Sequence, residues 1–73
     1  MTEIQIKLPP ESVSTFVKKT QDCDFNVDIA YDRLEIDAKS LLGILSLDLN
    51  KILHVKMFGH NEALEDYLQT LAV

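Results

Sequence analysis

Few side chains in this sequence could carry chemistry, and their spacing limits what each could do. His54 and His60 are the only histidines and lie six residues apart, with no further histidine or cysteine set beside them. A zinc site takes about four nitrogen or sulfur ligands, so no metal is expected. Cys23 is the only cysteine. It excludes an internal disulfide and is most simply a small apolar residue of the core. His54 sits between Leu53 and Val55 in an alternating run and reads as a solvated surface histidine. Lys18 and Lys19 form the only basic pair, too small a patch for nucleic acid.

Ser40 is different, because it heads the run Leu41-Leu42-Gly43-Ile44-Leu45-Ser46-Leu47. A serine hydroxyl in that place suits the N-cap of a short helix. Five of the seven residues that follow are large and apolar, yet a two-turn helix can turn only about half its circumference toward a core. Ile44 and Leu47 make one buried stripe. Leu41, Leu42 and Leu45 are then expected to form an exposed apolar patch, a feature that often marks a partner surface.

The remaining elements follow from periodicity. Ile4, Ile6 and Leu8 alternate with Glu3, Gln5 and Lys7 as a first strand, closed by Pro9-Pro10. Val13, Phe16, Val17 and Thr20 recur at helical steps after Pro10, which suits a first helical turn. The period returns to two for Cys23, Phe25, Val27 and Ile29, and again for Leu34, Ile36 and Ala38. Tyr31-Asp32-Arg33 lies between these runs without the favoured Asp-Gly pair, which predicts a looser turn or a residue at positive φ. Leu53, Val55 and Met57 form a fourth strand that Gly59 ends. Asn61 can cap a last helix with Leu64, Tyr67, Leu68 and Leu71 inward and Glu62, Glu65 and Asp66 near its start. The order βαββαβα, with polar residues at alternate strand positions, implies an α+β open-faced sandwich: a four-stranded antiparallel sheet covered on one face by helices.

At 73 residues, the chain should expose about 4,600 Å² when folded, which fits a single domain over residues 1–73 and excludes the architecture of a large enzyme. Seven basic residues against twelve acidic ones give a net charge of −5, which opposes nucleic acid and anionic membrane surfaces. No apolar run approaches the roughly 18 residues that span a bilayer, and the amino-terminal residues lack a secretory pattern. A cytoplasmic, non-enzymatic protein without a cofactor is expected.

The element order and the segment Lys39-Ser40-Leu41-Leu42-Gly43-Ile44-Leu45-Ser46-Leu47 together resemble the HPr family, the small histidine-containing phosphocarriers of the bacterial sugar phosphotransferase system. That family's pattern is Lys-Ser, two large apolar residues, Gly, two more apolar residues, then Ser-Leu, at the start of the short second helix. From Val13 to Leu49 the spacing can be laid on family members without a gap. The resemblance implies the sheet order 1-4-2-3. It also implies that Ser40 matches a serine phosphorylated in one branch by an ATP-dependent HPr kinase, giving a form that binds a transcriptional regulator. Leu41, Leu42 and Leu45 match the family's docking surface for protein partners.

One part of the pattern is missing. The family's carrier histidine lies in a Gly-Leu-His-Ala-Arg-Pro-like loop, whereas Lys7-Leu8-Pro9-Pro10-Glu11-Ser12 stands here, with neither histidine nor arginine. Ser12 or Ser14 could not substitute, because a phosphoserine ester is too stable to pass its phosphoryl group on. The expectation is a degenerate, non-catalytic HPr-like regulatory or adaptor protein. It would bind a protein partner through Leu41, Leu42 and Leu45 and be regulated at Ser40. The alternative is a structural unit whose leucine patch is buried in a homodimer.

Overall fold

The two periodicities of the sequence become two layers, and the computed structural model describes all of residues 1–73. β1 (Thr2–Ile6) leads through a 3-10 turn at Pro10–Ser12 into α1 (Val13–Gln21). The hairpin β2 (Val27–Tyr31) and β3 (Leu34–Asp37) follows, then α2 (Leu41–Leu45), β4 (Leu53–Met57) and α3 (Glu62–Gln69). All neighbouring strands are antiparallel, in the order β1-β4-β2-β3. The α+β class and the strand order are those expected.

Register explains why one face is dry. Ile4, Val55, Ile29 and Ile36 are direct cross-strand neighbours, so a single apolar row crosses all four strands. The next row, Glu3, Lys56, Asp28 and Asp37, points to the opposite, wet face. Helices cover the apolar row, and sixteen buried residues form one continuous core that includes Phe16, Ile44, Leu53, Leu64 and Leu68. Burying each such large side chain contributes about 1.5–3 kcal/mol. The folded surface is 4410 Å², close to the expectation for one domain of this length. No helix is long and apolar enough to cross a membrane.

Thr20 is the one buried polar residue, and its hydroxyl lies 2.7 Å from the carbonyl of Val17 and 3.1 Å from that of Ala38. It thereby ties α1 to the segment leaving β3. In the hairpin, Tyr31 pairs with Leu34 and Asp32 takes φ 52°, so the turn does hold a residue at positive φ. Aspartate tolerates that region better than most residues.

Four sequence expectations need correction. Leu71, expected inward on the last helix, lies beyond the end of α3 at Gln69 and is only half-buried. Cys23 and Phe25 are not strand residues. The Cys23 amide donates to Thr20 O, which continues the turn closing α1, and β2 begins only at Val27. Leu8 is buried but lies beyond β1. Leu34, expected inward, does lie on the helix-covered side by its alternation with Ile36. It is nevertheless 50% exposed, because β3 is an edge strand and α2 does not cover its first residue.

Candidate functional site

α2 is built from four local interactions. Ser40 has an extended backbone and its Oγ accepts from the Gly43 amide at 3.1 Å, so it is the N-cap the sequence suggested. At the other end, Ser46 Oγ donates to Gly43 O at 2.6 Å. Gly43 lets the helix sit close on β3, since a Cβ there would lie 3.1 Å from Ile36 Cδ1. Ile44 is fully buried and Leu47 nearly so. The outer face carries Leu41, Leu42 and Leu45, at 43%, 80% and 58% exposure. Steps of three and four residues bring Leu42 and Leu41 beside Leu45, so the three form one patch. Ser40 is exposed at its amino-terminal end.

The segment Lys7–Ser12 lies between β1 and α1. Pro9 and Pro10 carry no amide hydrogen, and the amides of Ser12 and Val13 donate to Pro9 O and Pro10 O. The donors that a helix start would offer to an anion are thus largely missing or already used. The Lys7 ammonium is turned to the carbonyl of Asn50. No ring nitrogen stands in this segment.

Both histidines lie elsewhere. His54 Nδ1 is 3.0 Å from Glu3 Oε2 on the wet face of the sheet. His60 Nδ1 is 2.8 Å from Glu65 Oε2, beyond the end of β4 where Met57 pairs with Thr2. The Lys7–Ser12 segment leaves the opposite end of β1, where Ile6 pairs with Leu53. His60 and that segment are therefore at opposite ends of the sheet. Burial pushes the Cys23 thiol up, the nearby Lys39 ammonium opposing it, so the thiolate is scarce at neutral pH. No three His, Cys, Asp or Glu side chains converge on a point where a metal could be held.

A solved structure decides the fold. The crystal structure of HPr-C-His from Thermoanaerobacter tengcongensis superposes with a TM-score of 0.76 over 96% of this chain and 93% of that one. The fold is that of HPr. Identity over the HPr match is 19%, so the likeness is one of architecture. No protein-family model matches the sequence, and no curated protein matches it either. On the HPr fold of this chain, Ser40 and the three exposed leucines come together on α2, as the sequence suggested. Leu34 was missed. The Asp48 amide, just past α2, donates to Tyr31 Oη, and Tyr31 pairs with Leu34. The carboxyl-terminal end of α2, with Leu45, therefore lies at the same end of the sheet as Leu34. Strand alternation marks Leu34 as inward-facing, and only the position of β3 at the sheet edge uncovers it.

Proposed function

We propose that the chain is a non-catalytic regulatory or adaptor protein on the HPr fold, which does not carry phosphate on histidine. It binds a protein partner through Leu41, Leu42 and Leu45, and phosphorylation of Ser40 regulates that contact. A kinase of the HPr type and a transcriptional regulator are the partner classes the family resemblance suggests. The carrying observation is the division of α2: Ile44 and Leu47 suffice for the core, and three further leucines stay in water. The apolar area of those leucines costs free energy in the free protein, and a partner covering them would recover it.

The Lys7–Ser12 segment supports the non-carrier part of the reading. Phosphoryl transfer needs a nucleophilic nitrogen and a surround of donors or cations, and two prolines and Glu11 occupy the place instead. Ser40 has an exposed hydroxyl facing the first turn of α2. A phosphate there would bring a charge of about −2 beside the leucines, a change large enough to alter an apolar contact.

Two incubations test this. With ATP and an HPr kinase, intact mass should show one added phosphate on the wild type and none on Ser40→Ala; an unmodified wild type ends the switch reading. With phosphoenolpyruvate and the first enzyme of the phosphotransferase pathway, no acid-labile phosphate should appear, and finding it would overturn the non-carrier reading. Sedimentation addresses the patch: a monomer is expected. A dimer dissociated by Leu42→Glu would replace the adaptor with a self-associating structural unit.

A further inference from the structure

The two edges of the sheet are finished differently. Along β1, the carboxyl terminus supplies backbone partners: the Lys7 amide donates to Leu71 O, the Val73 amide donates to Gln5 O, and Ile6 bridges to Ala72. Nothing runs along the outside of β3. The Ala38 amide donates inward to Val27 O at 2.8 Å. Backbone direction alternates along an antiparallel ladder, so Ile36 and Leu34 also face β2, while the amides of Glu35 and Asp37 point outward. An unpaired edge of this kind is a template for another strand.

The side chains say which strand would fit. On the helix side stand the exposed Leu34 and half-buried Ile36; on the wet side stand Glu35 and Asp37. Asp37 is directly opposite Asp28, a like-charged pair that destabilises the free sheet. The nearby ammonium of Lys56 is taken by Glu35 at 2.7 Å. Cross-strand neighbours share a face, so a second copy of β3 paired antiparallel about a two-fold axis has three central registers. They set Glu35 against Glu35, Glu35 against Asp37, or Asp37 against Asp37. Each places acid directly opposite acid, and the net charge of −5 adds to the repulsion. The first also sets Arg33 opposite Asp37 and the third Lys39 opposite Glu35, although the Lys39 ammonium is already held by the carbonyl of Cys23 at 2.7 Å. A second copy is therefore the rival occupant that the test must separate.

We infer that β3 accepts an extended segment of a partner protein as a fifth strand. In that segment, Lys or Arg at alternate positions face Glu35 and Asp37, and aliphatic side chains between them cover Leu34 and Ile36. Backbone hydrogen bonds give the addition its direction, and the alternation gives it specificity. The site adjoins the α2 patch, Ile36 lying close to Gly43 and Leu34 at the end of the sheet that holds Leu45, but its backbone bonds belong to β3, so either can fail without the other.

The probe is an acetylated octapeptide of alternating lysine and valine, titrated into the ¹⁵N-labelled chain with amide hydrogen exchange as the readout. The Glu35 and Asp37 amides should shift and become protected. A twin with glutamate for lysine, and a lysine/valine peptide N-methylated at its lysines, should each bind at least about tenfold more weakly. Glu35→Pro removes an outward amide that makes no bond to β2 and should weaken binding similarly. Leu42→Glu should leave it unchanged. Equal affinity for the N-methylated peptide, absence of protection at Glu35, or loss of binding in Leu42→Glu would each overturn the proposal. So would a dimer of the free chain that already protects the Glu35 amide, because the edge would then belong to a second copy.

Discussion

α2 and α3 begin alike and end up with opposite surfaces. Each starts at a side-chain cap, Ser40 accepting from the Gly43 amide and Asn61 accepting from the Leu64 amide. Each lies on the helical side of the same sheet. α3 buries Leu64 and Leu68 and turns Glu62, Asp66 and Gln69 to water. α2 buries Ile44 and turns leucines to water. The architecture therefore does not demand exposed leucines; the same layer accommodates a helix whose outer face carries acids, Gln69 and Ala63 and no large apolar side chain. What α2 exposes is a property of its sequence, and the fold supplies the platform.

The largest test of that contrast is truncation on each helix. Leu68→Ala should cost about 2–5 kcal/mol in urea unfolding, because it opens a cavity in a fully buried place. Leu42→Ala should cost less than about 0.5 kcal/mol, since a side chain that is already in water loses little. A cost at Leu42 comparable with that at Leu68 would mean that the outer face of α2 is packed in solution, and the contrast would collapse.

The glycines sharpen it next. Gly59 stands in the turn before α3, where a Cβ would press into the ring of Phe25 and lie 2.9 Å from its Cβ. Gly59→Ala should lose about 1–3 kcal/mol, because the root of a side chain cannot swing aside. In α2, Gly43→Ala would meet only the far end of Ile36 and the Ser40 side chain. The helix-propensity gain of about 1 kcal/mol should roughly offset that crowding. Thermal unfolding of the two variants checks the difference, and equal losses would show that α2 sits as tightly on the sheet as the approach to α3.

This difference marks how far the sequence could be read. The α2 patch was legible because a short helix with five large apolar residues has too few inward places, whatever the tertiary structure. The caps Ser40 and Asn61 were legible for a similarly local reason. Leu34 was not, since alternation reports the face a residue points to but not whether another element reaches over it. Cys23 and Phe25 misled in the other direction. They are spaced like strand residues, yet Cys23 is held by the turn leaving α1 and Phe25 packs over Gly59, so a tertiary cause produced a two-residue period. The edge position of β3 was legible only through the family resemblance, because strand order depends on pairings distant in sequence and no local pattern records it.

Removing the caps should have a smaller effect. Asn61→Ala and Ser40→Ala should each cost about 1 kcal/mol, but the consequences should differ locally. α3 is anchored by two buried leucines and should keep its helix. α2 has Ile44 alone, so Ser40→Ala should speed hydrogen exchange at the Gly43 amide well beyond the change seen at Leu64 in Asn61→Ala. Similar exchange in both variants would show that the leucine face of α2 is held by more than its cap and one anchor.

The smallest effect concerns the least comfortable residue of α3. Tyr67 Oη is buried without a hydrogen-bond partner, and although Ser12 lies close enough to favour the phenolate slightly, its hydroxyl completes no bond with Oη. Lys19 stands 5.3 Å from the ring centre. Burial is the larger influence and pushes the phenol up. A raised acid gives stability that is fully present below its unfolded value of about 10 and is lost as pH rises through the folded value. Tyr67→Phe deletes an unsatisfied hydroxyl while keeping the ring, so it should be neutral or more stable by a few tenths of a kcal/mol at pH 7. Its advantage over wild type should widen above about pH 10. Urea midpoints at pH 7 and at pH 10.5 decide the matter. An advantage that shrinks with alkali would mean that the phenolate is stabilised in the fold and that α3 has no weak point to set against the exposed leucines of α2.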